Sequence, residues 1–119
     1  MQTERQVEQI INLFLKELEI PPNMPPDVAD WLHLIHTNLC NLELSVSWLK
    51  EQSNMGQDNN RSSRFKWYMG FGPKQYITKL RAELAKKLLK LEELNQSDVT
   101  WWVGYEDAST FSRVLKQYK

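Results

Sequence analysis

Between Tyr76 and Leu91 the apolar residues Tyr76, Ile77, Leu80, Leu84, Leu88 and Leu91 return every three or four positions. That is the period of one face of an α-helix. Pro73 opens the run at a tolerated first-turn position. Gly70 closes whatever precedes it, as glycine does just beyond a helix C-terminus. The pattern predicts an amphipathic helix to about Leu94, of about 22 residues and roughly 33 Å. A stripe of leucines that long must be buried, so the rest of the chain has to assemble around it.

The flanking segments carry the same period. Thr3 through Glu19 reads as a helix, with Val7, Ile10, Ile11, Phe14 and Leu18 on one stripe and Leu13 and Leu15 widening it. Thr3 and Gln6 are spaced for a capping box. PPNMPPD then breaks the chain, because no helix survives that density of proline. Asp27 is placed to cap a second helix whose buried face is Val28, Trp31, Leu32, Ile35 and Leu39. Ser45 can cap a short helix with Trp48 and Leu49 inward. The polar segment QSNMGQDNN turns the chain, with Met55 as its apolar anchor, and Asp58 or Asn59 can start the helix RSSRFKWYM. After the long helix, Asn95 to Ser97 forms a break. Ser97 or Asp98 caps VTWWV, Gly104 turns, and Glu106 or Asp107 begins the last helix.

No segment alternates as a strand would, so an all-α chain of about seven helices is expected. The divisions are an N-terminal helix with its proline linker (1–26), a first helical unit (27–72), the linker helix (73–95) and a second unit (96–119).

Composition narrows the function. In 119 residues there are 15 basic and 15 acidic side chains, a net charge of zero. Their distribution is uneven. Residues 61–90 hold Arg61, Arg64, Lys66, Lys74, Lys79, Arg81, Lys86, Lys87 and Lys90 against only Glu83. A neutral chain so arranged can carry a local positive face.

The single cysteine, Cys40, excludes an internal disulfide and fits a reducing compartment. With no run of about 18 apolar residues and a poor signal sequence, a cytoplasmic, nucleoid-associated location is expected, with no membrane partner. Most of the five tryptophans should fill the core. His33 and His36 share one helix face, but no further ligand is placed to complete a metal site. Gly70 to Gly72 follow no strand and so form no phosphate loop. Cys40 lacks an adjacent base. These absences predict neither enzyme nor cofactor.

Two segments resemble one another. Each has a short apolar helix, a turn, and a second helix with small polar residues and arginine outward. Residues 61–68 align with 111–118, setting Phe65 against Leu115 and Lys66 against Lys116. This is a tandem helix-turn-helix layout. Four segments carry a stronger resemblance: WLKEQ (48–52), DNNRSSRFKWYMGFGPKQYI (58–77), RAELAKKLL (81–89) and GYEDASTFSRVLKQY (104–118). In order and spacing the chain resembles, over residues 27–119, the DNA-binding domain of the AraC/XylS family of bacterial transcription regulators.

The resemblance implies two homeodomain-like helix-turn-helix units joined by the linker helix, whose recognition helices enter adjacent major grooves of double-stranded DNA. Matching position to position, the expected base contacts are Asn59, Asn60, Ser62 and Ser63 in the first unit. In the second they are Ala108, Ser109, Ser112 and Arg113. Asparagine suits adenine and a bidentate arginine suits guanine. Arg64, Lys66, Lys74, Lys79 and Lys116 are the expected backbone contacts, and the first turns near Pro73 and Asp98 add amide donors. Phe65, Phe111 and Leu115 belong to the core. RNA polymerase is a further candidate partner of such a regulator.

Three departures from the family pattern stand out. The segment between Val99 and Gly104 is about three residues short, close to one helical turn, so Trp101 and Trp102 should flank a clipped helix and both serve as core. Arg61 stands where the family has an aliphatic anchor, so it should snorkel outward or the helix should tilt. The chain ends at Lys119, before the family's usual glycine-x-x-proline ending. About 26 leading residues are too few for an effector-binding domain, which suggests a small stand-alone regulator or a piece of a larger one. The N-terminal helix (residues 3–20) either pairs with a second copy as a homodimer or folds back on the helix 27–39. The rival to DNA binding is a degenerate protein-interaction module that dimerises or docks through that helix.

Overall fold

The computed structural model describes residues 2–53 and 60–118 and contains, among them, seven α-helices and no strand. The helices are α1 (Gln2–Glu17), α2 (Pro26–Thr37), α3 (Val46–Gln52), α4 (Asn60–Met69), α5 (Pro73–Leu88), α6 (Gln96–Trp102) and α7 (Ala108–Gln117). The expected all-α architecture is present. Asn59, Met55 and the cap proposed at Asp58 lie outside the described residues.

The leucine stripe of α5 organises the packing as its period predicts. Tyr76, Ile77, Leu80, Leu84 and Leu88 are all buried, and α1, α4, α6 and α7 each pack on α5. Trp31, Phe65, Phe111, Leu32, Ile35 and Leu49 are fully excluded from solvent in the core around it. The helix is shorter than its sequence pattern implies. It ends at Leu88 after 16 residues, about 24 Å at 1.5 Å per residue. Beyond it the chain runs through tight turns, with Leu91 N–H donating to Leu88 C=O at 3.0 Å and Leu94 N–H to Leu91 C=O at 3.1 Å. Through these turns Leu91 and Leu94 still pack against the core.

Several helix starts differ from the sequence expectation, each for a local reason. Helix α1 begins at Gln2, so Thr3 lies inside it and is not its cap. Helix α2 starts at Pro26 with Pro25 as its N-cap. A proline's fixed φ suits the first turn without a side-chain cap, so Asp27 is freed for another task. Asn95, not Ser97 or Asp98, caps α6. Its side chain accepts from the Asp98 amide at 2.8 Å, and the Asp98 carboxylate accepts from the Asn95 amide at 3.0 Å, a reciprocal capping box. Ser45 and Asp107 cap α3 and α7 as predicted.

The N-terminal helix folds back on the chain, but not chiefly on the helix expected. Its chief neighbour is α5 rather than α2. Val7 and Phe14 are buried, Ile10, Ile11 and Leu15 half-buried, and Leu13 is 58% exposed.

The tryptophans also divide. Trp31 is buried and its indole donates to Ser53 Oγ at 2.9 Å. Trp48 and Trp102 are half-buried. Trp67 is 83% exposed and Trp101 65% exposed. Helix α6 turns Val99, Thr100 and Val103 to the core, and Trp101 sits about 200° round the helix from Val99, so it cannot share that face.

Both buried arginines are engaged. Arg61, 3% exposed, neither snorkels nor lacks partners. Its Nε donates to the Asp27 carbonyl at 3.0 Å and a terminal nitrogen donates to the same oxygen. Its guanidinium lies 4.9 Å over the Trp31 ring, with the Asp30 carboxylate 3.9 Å away. Arg81, on α5, donates Nε–H to the Leu39 carbonyl and a terminal N–H to the Asn41 carbonyl, both at 2.8 Å. It lies 5.1 Å over the Tyr105 ring. Gly104 closes the same knot. Its φ is +96°, and a Cβ there would meet Arg81 Nη2 at 2.9 Å and the Cys40 carbonyl carbon at 3.2 Å.

Two stability predictions follow from these contacts. Gly104→Ala combines a left-handed backbone with a steric conflict, so it should destabilise the fold by about 1–3 kcal/mol, read as a lower urea midpoint at unchanged m.

The second concerns His36, which is buried with Nε2 2.6 Å from the Tyr76 hydroxyl. Burial, helped by His33, lowers its pKa, while burial and Glu83 push Tyr76 up to about 12. The phenol therefore keeps its proton and donates to a neutral imidazole. The unfolded histidine takes up a proton at about pH 6.5 and the folded one only lower. Stability should be full above that pH and fall as pH drops through it, and His36→Gln should remove that slope.

Candidate nucleic-acid interface

Helix α4 turns Arg61 and Phe65 to the core. On the opposite side Asn60, Ser63 and Trp67 recur at i, i+3 and i+7 and are all exposed, so they form one outward stripe. Ser62 is half-buried at its edge. Helix α7 repeats the design with different residues. Phe111 and Val114 face inward, while Ser109, Arg113 and Lys116, at i, i+4 and i+7, are exposed on one line. Ala108 is exposed beside them and Ser112 is half-buried.

The N-terminus of α7 is built around its cap. The Asp107 carboxylate accepts from the Ser109 amide at 2.9 Å and from the Thr110 hydroxyl at 3.0 Å. These two bonds hold its carboxyl below the usual carboxylate range. Arg113 Nη2 in turn donates to Thr110 Oγ1 at 3.4 Å, which ties the guanidinium loosely to the start of the helix.

A depression joins the end of α4, the start of α5 and the end of α7. Lys66, Gly72, Lys74, Gln75, Thr78, Gln117 and Tyr118 line it, and no acidic residue does. Pro73 has no N–H, but the amides of Lys74 and Gln75 in the first turn of α5 have no intrahelical acceptor. Two lysines and a helix N-terminus at one concavity suit a phosphate.

The expected basic face is divided by the fold. Arg61 and Arg81 are buried, which removes them from any ligand-facing surface. Arg64 is half-buried, and its Nε donates to the Asp27 carboxylate at 2.6 Å, with a terminal nitrogen on the same oxygen. Lys79 is exposed and lies 5.2 Å over the Phe71 ring. Lys87 and Lys90 sit at the far end of α5, sharing a groove with Glu17 of α1. Lys66 and Lys74 thus meet at the depression, and Lys116 joins the stripe of α7.

Five residues of this surface escaped the sequence pattern. Gln75, Thr78, Gln117 and Tyr118 are ordinary polar positions whose convergence depends on how α5 and α7 meet. Trp67 had a visible signal, since it lies four residues after Ser63 on a stripe with no apolar partner.

Elsewhere the chemistry is quiet. Burial pushes the Cys40 thiol up to about 11, against the pull of Arg81, so it stays protonated and a poor nucleophile. No group of three or more metal-ligating side chains is gathered among the described residues. No helix among them is long and apolar enough to cross a membrane.

Comparison with known proteins gives a family for the chain. A family described as a helix-turn-helix domain matches residues 59–119. The chain is similar to the raffinose operon transcriptional regulatory protein RafR of Pediococcus pentosaceus, 37% identical over 54 residues, which are 45% of this chain and 20% of the relative. The match thus spans about a fifth of that protein. No solved structure matches. The family match covers α4 through α7, more than half of the chain and both outward stripes, and this protein belongs to the helix-turn-helix domain family of AraC/XylS-type transcription regulators.

Proposed function

We propose that this domain binds double-stranded DNA in a sequence-specific manner, with α4 and α7 as its two recognition helices. The observation that carries it is the acid-free depression of Lys66 and Lys74 that joins α4, α5 and α7, the two helices with exposed polar stripes among them. A backbone phosphate seated there would lie beside both readers. Asn60, Ser62 and Ser63 on α4, with Asn59 just before it, and Ala108, Ser109, Ser112 and Arg113 on α7 are then presented to base edges. Lys66, Lys74 and Lys116 supply the sequence-independent attraction, Lys79 adds to it, and Arg64 contributes where Asp27 shares it. Trp67 extends the stripe of α4 and is suited to an apolar contact with a thymine methyl.

Helix α5 is about 24 Å long, against the ~34 Å that separates successive major-groove faces. Engaging both grooves at once therefore calls for a duplex that bends toward the protein. Without a bend, one unit reads bases while the other rests on the backbone.

A second reading concerns oligomeric state. Leu13 stands exposed and, with Ile10, lines two depressions, one reaching Leu91 and the other Glu17, Lys87 and Lys90. An exposed apolar side chain beside two depressions is suited to a second copy of α1.

Titration of duplex DNA at several salt concentrations tests the main reading, and the absence of binding even at low salt would end it. Arg113→Ala should relax preference at one base step, at a cost of about 1–3 kcal/mol, and Lys74→Ala should weaken all sequences alike and reduce the salt slope by about one. Trp67→Ala should lower affinity for thymine-containing sites but leave affinity for the uracil-substituted duplex unchanged. For the second reading, sedimentation of Leu13→Lys should show a monomer under conditions where the parent chain self-associates.

A further inference from the structure

On the side of the molecule formed by α1, α6 and the loop after α2 lies an open cavity of about 680 Å³. That volume falls within the range of small-ligand sites. It shares no lining residue with the depression assigned to phosphate. Its walls combine two chemistries. Trp101 and Trp102 supply two indoles, the first 65% exposed. Glu8 from α1 and Glu43 from the loop supply two exposed carboxylates, and no lysine, arginine or histidine lines the cavity. Arg81 lies close by, but its guanidinium is already turned onto the Leu39 and Asn41 carbonyls and the Tyr105 ring.

This combination selects among ligands. Two carboxylates repel nucleic acid and any anionic effector. An uncharged apolar molecule would gain from the indoles and nothing from the glutamates. A compact organic cation gains from both, because the face of an indole attracts positive charge and the carboxylates add Coulomb attraction at the rim. Asn12 offers an amide oxygen for any N–H such a ligand carries, while that of Asn41 already accepts from the Glu43 amide at 2.9 Å. The exposure of Trp101 also finds a reason here, since a large indole turned away from the core on a two-turn helix contributes nothing to packing.

We propose that this cavity is a binding site for a small organic cation of the alkylammonium class, held against the indoles of Trp101 and Trp102 and countered by Glu8 and Glu43. The site has one wall on α1 and another on α6, and α6 packs on α7. An occupant therefore fastens the N-terminal helix to the support of the second recognition helix.

The test uses the full chain, with tetramethylammonium chloride as probe, sodium chloride at equal ionic strength as control, and 2,2-dimethyl-1-propanol as a neutral molecule of similar shape. Indole N–H signals in proton–nitrogen correlation spectra report on each tryptophan separately. Tetramethylammonium should shift the Trp101 and Trp102 signals saturably and leave the exposed Trp67 unmoved. Trp101→Leu changes an exposed residue and should weaken binding by about tenfold. The Glu8→Gln, Glu43→Gln double variant, also at exposed positions, should weaken it several-fold with Trp101 intact. A neutral alcohol that binds with the same midpoint would overturn the assignment, as would shifts of Trp67 equal to those of Trp101. Absence of any saturable shift, or a double variant that binds as the parent does, would overturn it too.

Discussion

The guanidinium of Arg81 is the constraint on which the arrangement of the two units depends. It projects from the middle of α5 and is 5% exposed. Removing a charge from water costs several kcal/mol unless its donors are satisfied. Here they are satisfied by backbone carbonyls of the loop after α2 and by the face of Tyr105, just after α6. One side chain on the connecting helix thus holds a loop from each unit. The knot has no room for a side chain at Gly104, so the turn between α6 and α7 is set by the same group. The outward stripe of α7 points where it does because its preceding turn is tied to α5.

The two helix-turn-helix units reach the same outline by different physics. In the second, α7 is anchored by Phe111 and Val114, with Asp107 capping its start. In the first, α4 is anchored by Phe65 and by an arginine at the position that matches Phe111. Arg61 is accommodated by polar groups of α2. The Asp27 carbonyl accepts from Arg61, and its carboxylate accepts from Arg64. The guanidinium of Arg61 stacked on Trp31 fills space that an aliphatic side chain would otherwise occupy. A residue that looks like a defect in the pattern is a polar cross-link between α2 and α4.

Charge is sorted by the fold into separate surfaces. At the start of α5 the lysines converge without an acidic neighbour. At its far end Lys87 and Lys90 face α1 and Glu17. Glu8 and Glu43 meet two tryptophans on a third side. A chain of zero net charge can therefore present a local field of either sign, and the sum over the sequence says nothing about which surface meets which ligand.

Local chemistry made much of this legible from the residues alone. The number and order of helices, the stripe of α5, Gly70 and Gly104 as turns, and Ser45 and Asp107 as caps all depend on neighbours within a few positions. The outward residues of α4 and α7 could be picked by period because each helix has one buried face. Tertiary structure alone decided the rest. The end of α5 at Leu88 is not written in the leucine period, which runs on through Leu91. Which of the basic residues 61–90 reach solvent depends on carbonyls more than thirty positions away in sequence. Trp101 is outside because α6 has room for one buried face, and α1 lies on α5 because that is where its apolar stripe finds a surface. Backbone preference acts over a few residues, but the burial of a charge or an indole is settled by partners that only the folded chain brings near.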